Sequence, residues 1–81
     1  MPRSPPAYAR SKPLVAFGKA IRQTRMEVGI SQEELAFRAD VGRAYMSKLE
    51  RGSQAAGLVT MIRIATALGT SVSQLMLDAG L

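Results

Sequence analysis

The sequence predicts an all-α fold of five short helices. From Leu14 onward, apolar residues recur at the three- and four-residue spacing of a helix. No stretch alternates apolar and polar residues as a half-buried strand would. Serines and glycines divide the pattern where helices are expected to start and end. A chain of 81 residues forms one domain, which we place at residues 13–81.

The residues before that domain, 1–12, are rich in proline, serine and basic side chains and have no apolar period. This composition predicts a flexible basic arm. Pro13 suits the first turn of helix one, and Ser11 or Lys12 is expected near its cap. Helix one is predicted over residues 13–28 and ends before Gly29. Its predicted inner face consists of Leu14, Phe17, Ile21 and Val28.

Helix two is predicted over residues 31–39, with Leu35, Ala36 and Ala39 on its inner face. Ser31 and Glu34 have the spacing of a capping box, in which each side chain bonds the other residue's amide. Asp40 tolerates a left-handed conformation and ends the helix. Helix three follows over residues 43–51, with Met46 and Leu49 inward and Gly52 at its end.

The last two helices follow a loop at residues 52–57 that is bounded by two glycines. Gly69 ends helix four, and Ser71 caps helix five. The predicted inner face of helix four consists of Leu58, Met61, Ile64, Ala65 and Leu68. That of helix five consists of Val72, Leu75 and Met76.

The composition favours a binding protein over an enzyme. The chain has no Cys, no His and only six carboxylates, so the commonest general base and metal ligands are missing. We therefore expect no catalytic activity, no metal and no cofactor. No stretch approaches 18 apolar residues, and the N-terminus has no apolar signal segment. We expect a cytoplasmic protein that does not enter a membrane.

The charge of the chain is positive and unevenly placed. The net charge is +5, and residues 1–26 hold six basic residues and no acidic one. This excess of positive charge favours binding to a polyanionic partner, such as DNA, RNA or an anionic membrane surface.

Helices two and three have the spacing of a helix-turn-helix. A turn of three or four residues makes two short helices cross steeply. Ala36 is small where they approach, and Val41 and Leu49 fill the angle. The outer face of helix three is then free to enter the major groove of DNA. That face carries Arg43, Ala44, Ser47 and Lys48, which are side chains suited to base edges.

Residues 14–77 resemble the Cro and phage-repressor (Xre) family, whose fold is the five-helix, lambda-repressor-like domain. The resemblance is carried by Ile21-Arg22, Arg25, Gly29, Ser31-Gln32-Glu33-Glu34-Leu35-Ala36, Met46-Ser47, Leu49-Glu50-Arg51-Gly52, Ile64-Ala65 and Ala67-Leu68-Gly69. It implies a homodimeric transcriptional regulator that binds a two-fold-related operator in double-stranded DNA. Tyr45 after Arg43-Ala44, together with the small size, is similar to the controller proteins of restriction–modification systems.

The resemblance also implies roles for single residues. Gln32 is expected to bind a DNA phosphate, and Arg25 and Glu50 to form a structural ion pair between helices one and three. The base-reading positions fall on Arg43, Ala44, Ser47 and Lys48. The loop here lacks the basic residues and the proline that relatives often carry, which leaves polar groups for the phosphates. The full set of expected DNA contacts is Gln32, Arg43, Ala44, Tyr45, Ser47, Lys48, Arg51, Ser53, Gln54, Arg10 and Lys12.

Tyr45 and Phe37 are both expected to pack mainly against the protein, with Phe37 helping to cover the tyrosine ring. Tyr45 either packs on helix two or reaches a DNA phosphate with its hydroxyl, and a partly packed ring with a solvent-exposed hydroxyl is favoured.

A dimer surface is expected in the C-terminal half, because a single recognition helix covers too few base pairs to select one site. Val59 and Ile62 flank the inner face of helix four, and Leu77 and Leu81 lie beyond that of helix five. Three other functions remain open. An antitoxin of this fold would also bind a toxin, a restriction–modification controller would serve one gene system, and a basic interaction module would show no base preference.

Overall fold

The computed structural model describes residues 11–81, in which five α-helices follow one another. They are α1 (Lys12–Val28), α2 (Gln32–Arg38), α3 (Arg43–Arg51), α4 (Leu58–Ala67) and α5 (Val72–Asp78). No strand occurs within residues 11–81, and the predicted all-α class is confirmed.

Three of the helices begin at a serine that caps them. The hydroxyls of Ser11, Ser31 and Ser71 accept hydrogen bonds from the amides three residues on, at 3.4, 3.0 and 3.0 Å. Each such cap contributes about 1 kcal/mol. Because Ser11 supplies the cap, Lys12 is the first residue of α1, whereas the sequence placed it in the arm.

Only the serine half of the predicted capping box forms at α2. The Glu34 carboxylate lies 3.7 Å from the Arg38 guanidinium one turn further on, and within the described part of the chain it makes no bond to the Ser31 amide. Ser31 alone therefore caps the helix.

One hydrophobic core joins all five helices. Its largest fully buried side chains come one from each helix, and they are Ile21, Leu35, Met46, Ile64 and Leu75. Burying a side chain of this size stabilises the fold by about 1.5–3 kcal/mol. No helix can therefore detach without exposing a core residue.

The helices α1 and α3 approach each other closely at two glycines. A Cβ on Gly18 would lie 2.3 Å from the carbonyl oxygen of Leu49, and one on Gly52 would lie 2.6 Å from the Cα of Val15. Gly52 also has a φ of 75°, which favours glycine. Two glycines thus let the helix backbones meet, and this contact fixes α3 on the domain.

Three predicted core positions are wrong. Phe37 is 80% exposed, because a residue two positions after Leu35 points away from the buried face of α2. Val28 is exposed in the last turn of α1, where Ile30 packs against the core instead. Leu58 is exposed because it is the first residue of α4 and lies before the part of the helix that reaches the core.

Within residues 11–81, no single helix is long and apolar enough to cross a membrane. The helices α4 and α5 are long and apolar enough for a membrane span only when they are taken together, and they form a pair bent by 85°.

Candidate nucleic-acid interface

The turn between α2 and α3 sets the position of the candidate site. Asp40 takes up the predicted left-handed conformation, with a φ of 56°. The amide of Val41 then donates to the carbonyl of Ala36 at 2.9 Å, and its side chain packs against the core. This tight connection, with Ala36 buried between the two helices, leaves one side of α3 uncovered.

The uncovered side of α3 carries the residues predicted to read bases. Arg43, Ala44 and Lys48 are exposed and Ser47 is half-buried, whereas Met46 and Leu49 lie in the core. Arg43, Ala44 and Ser47 line a shallow cleft together with Gln32 from the start of α2. In residues 11–81, neither Arg43 nor Lys48 has a carboxylate within 4 Å. The uncovered side of α3 thus carries two cations without a carboxylate partner, and one of them, Arg43, lines the cleft.

Ser47 has a defined partner on its own helix. The Arg51 guanidinium donates to the Ser47 hydroxyl oxygen at 3.0 Å. Since one lone pair of that oxygen is occupied by a charged donor, the hydroxyl hydrogen is free to point outward. Arg51 is itself exposed and extends the basic face toward the end of α3.

Arg25 and Glu50, the pair expected from the family resemblance, are joined by a bidentate ion pair. The two hydrogen bonds measure 2.7 and 3.0 Å, and the Glu50 side chain is only 3% exposed. Arg25 also donates to the carbonyl of Ile30 at 3.0 Å. The hydrogen bond to Glu50 raises the pKa of Arg25, against the opposing effect of burial. One arginine therefore ties α1 to α3 and to the turn before α2.

Gln32 is joined to the same ion pair, which the sequence did not reveal. Its side-chain amide nitrogen donates to Glu50 at 3.2 Å. A carboxylate can only accept, so this bond orients the amide nitrogen, and its second hydrogen remains available. The residue expected to bind phosphate is thereby held in place from α3.

The loop after α3 is pinned by Tyr45 and by its own polar side chains. The Tyr45 hydroxyl donates to the carbonyl of Ala55 at 3.2 Å, and the Gln54 amide donates to the same oxygen at 3.3 Å. Ser53 bonds the carbonyl of Lys48 through its amide and its hydroxyl. Tyr45 is half-buried and packs against the core, while Phe37 is directed away and does not cover it.

The remaining predicted contacts fall in two places. Lys12 is exposed in the first turn of α1. Arg10 lies outside the described residues, as do residues 1–9 of the expected arm.

The residues expected at a dimer interface are all exposed. Val59, Ile62, Leu77 and Leu81 expose 62, 48, 70 and 52% of their surface. Leu58, which was expected in the core, adds a further exposed apolar side chain to α4. The C-terminal helices therefore present more apolar surface than the sequence indicated.

Within residues 11–81, no cluster of acidic side chains has the arrangement of a metal site. The chemistry that the site offers is hydrogen bonding and positive charge over an open surface.

Comparison with known proteins finds the same architecture in regulators. A helix-turn-helix family model matches residues 21–75. Control protein C.BamHI of Bacillus amyloliquefaciens is 39% identical over 61 residues, which is 74% of this chain and 75% of that protein. Control protein C.MunI of Mycoplasma sp is 34% identical over 65 residues, which is 79% of this chain and 88% of that protein.

Two solved structures extend the likeness. The restriction-modification controller protein C.AhdI from Aeromonas hydrophila superimposes with a TM-score of 0.75 at 40% identity, covering 76% of this chain and 94% of that one. The clp gene regulator ClgR from C. glutamicum gives a TM-score of 0.80 at 33% identity, covering 82% and 85%.

Proposed function

Because this chain belongs to the helix-turn-helix family and is a DNA-binding transcriptional regulator, we propose that it recognises a specific site by inserting α3 into the major groove. The observation that carries the proposal is the uncovered face of α3 beside the start of α2. Arg43, Ser47 and Lys48 stand on that face without acidic partners in the described part of the chain. A face of this kind at the second helix of the motif is where such proteins contact base edges.

Each side chain on this face suits a different kind of base contact. Arg43 suits a bidentate contact to the O6 and N7 of guanine, and Ala44 suits the methyl group of thymine. Ser47 offers an outward hydrogen because Arg51 occupies its oxygen, so it favours a base acceptor. Lys48 adds a single contact to a base further along the groove.

Phosphate contacts fix the position of α3 in the groove but do not read sequence. Gln32 supplies one such contact through the hydrogen that Glu50 leaves available. The backbone amides at the start of α2 add the positive end of a helix dipole. The loop held by Tyr45 contributes Ser53 and Gln54, and Arg10 and Lys12 supply further positive charge.

The protein acts as a homodimer on a two-fold-related operator. Val59, Ile62, Leu77 and Leu81 supply the apolar surface for this assembly. Contiguous exposed apolar surface on a soluble protein marks an interaction site. Two recognition helices placed on a dyad require half-site centres about 34 Å apart, which is one turn of DNA.

A salt-controlled competition assay tests the proposal. Binding to a duplex selected from a random library is measured against scrambled duplexes of equal length, at several salt concentrations. We expect a preference of at least about 10³ for the selected duplex. Equal affinity for all duplexes at every salt concentration would mean that the protein is a basic interaction module without base preference.

The comparisons favour a second, narrower function, which is control of restriction–modification genes. The restriction-modification controller protein C.AhdI is 40% identical to this chain, and control protein C.BamHI is 39% identical. If the chain has this function, its operator lies upstream of the restriction and modification genes. Binding to the DNA upstream of a neighbouring endonuclease gene tests it, and a selected sequence that occurs only elsewhere contradicts it.

A further inference from the structure

A second cleft lies beside the base-reading face, between α1 and the end of α3. It has a volume of about 430 Å³ and is lined by Val15, Lys19, Arg22, Glu50 and Arg51. Val15 is its one apolar residue, and three of the other four are basic. Lys19 and Arg22 were not among the residues of the predicted site.

The cleft is strongly positive. Lys19, Arg22 and Arg51 are exposed, and none of them has a carboxylate within 4 Å in residues 11–81. The one acidic residue, Glu50, is already neutralised by the bidentate bond from Arg25. Three cations thus face the opening without compensation, which suits a phosphate anion.

Two hydrogen bonds link residues of this cleft to residues of the base-reading cleft. Gln32, at the edge of the base-reading cleft, bonds Glu50 in the cationic one at 3.2 Å. Arg51, in the cationic cleft, bonds Ser47 in the base-reading one at 3.0 Å. The two clefts therefore lie next to each other around α3.

We propose that the cleft between α1 and α3 binds the sugar–phosphate backbone of the DNA that flanks the bases read by α3, with Lys19 and Arg22 as its phosphate ligands. This inference rests on the proposed function. It adds Lys19 and Arg22 of α1 to the DNA contact surface. Phosphate contacts carry no sequence information, so the cleft raises affinity without changing the preferred bases.

Salt titration of binding to the selected duplex tests the inference. Lys19→Gln and Arg22→Gln each remove one charge from an exposed side chain, and Arg63→Gln on α4 is the matched control with the same charge change. We expect the slope of log affinity against log salt to flatten by about 0.9 for each phosphate that the variant no longer neutralises, and by twice that in a dimer. Arg63→Gln should leave the slope unchanged, and circular dichroism should show the same fold in all three variants.

A trimmed duplex distinguishes flanking backbone from any other anion. When the DNA ends at the bases read by α3, the wild type and Arg22→Gln should bind with equal affinity. This inference alone would be overturned if the wild type selects a site but the salt slope is unchanged in Lys19→Gln and Arg22→Gln. Equal flattening in Arg63→Gln, or an Arg22→Gln defect that persists on the trimmed duplex, would also overturn it. A wild type that selects no DNA would overturn the proposed function and this inference together.

Discussion

Replacing Gly18 by alanine tests how tightly α1 holds the recognition helix. The added Cβ would lie 2.3 Å from the carbonyl oxygen of Leu49 and 2.6 Å from that of Glu50. Both neighbours are backbone atoms, so they cannot move aside as a flexible side chain would. The two helices must separate for the variant to fold.

Two effects of this substitution oppose each other. Alanine is the better helix former and gains about 1 kcal/mol in a helix interior. Overpacking costs about 1–3 kcal/mol, and separation of the helices also strains the Arg25–Glu50 bonds, whose complete loss costs about 3–5 kcal/mol. We therefore expect a net loss of about 2 kcal/mol or more in the free energy of unfolding. For a domain of this size that lowers Tm by roughly 8–16 °C.

Urea and thermal unfolding followed by circular dichroism measure this loss. Gly57→Ala is the control, because nothing lies within 4 Å of its added Cβ and its φ of −72° is ordinary. Its effect should stay below about 1 kcal/mol. A Gly18→Ala variant that is as stable as the wild type, or more so, would show that helix propensity wins and that the close contact does not fix α3.

Three further predictions concern assembly, the exposed aromatic residue and the arm. Ile62→Glu should give a monomer that keeps its fold but loses specific DNA binding, because it places a charge in the apolar surface. Sedimentation at micromolar concentration checks this, and a variant that remains dimeric contradicts the assigned surface. Phe37→Ser should change the unfolding free energy by no more than about 0.5 kcal/mol, whereas Leu35→Ala, in the core of the same helix, should lose about 2–5 kcal/mol. Equal losses in urea unfolding would mean that Phe37 is packed. Deleting residues 1–10 should flatten the salt slope of DNA binding by up to about 2 per protomer, at roughly 0.9 for each of Arg3 and Arg10, and by twice that in a dimer. An unchanged slope would exclude a DNA role for the arm.

The sequence predicted the helices well because their ends are encoded locally. Ser31 and Ser71 cap their helices, Asp40 takes the left-handed conformation, and α3 covers the predicted residues. Phe37, Val28 and Leu58 were assigned to the core on hydrophobicity, although two of them lie at helix ends and the third on an outward face. Whether a residue near a helix end reaches the core depends on where the neighbouring helices stop, and this is a tertiary property.

The candidate site likewise contains some residues that local sequence patterns identify and others that they do not. The outward face of α3 follows from the period of a single helix, so Arg43, Ser47 and Lys48 could be named in advance. The bond from Gln32 to Glu50 joins residues 18 positions apart, and no local pattern encodes it. Lys19 and Arg22 were not assigned to the site, because their place beside Arg51 depends on how α1 packs on α3.

Selection from a randomised duplex library, carried out in parallel with the wild type and Arg43→Ala, tests most directly whether α3 reads bases. We expect the wild type to enrich a two-fold-related sequence whose half-site centres lie about 34 Å apart. Arg43→Ala should bind that sequence roughly 5- to 150-fold more weakly, which corresponds to about 1–3 kcal/mol, and should lose its preference at one base pair in each half-site. If Arg43→Ala weakens binding to every duplex equally and keeps all the preferences of the wild type, Arg43 holds only phosphate, and base reading by this face of α3 is contradicted.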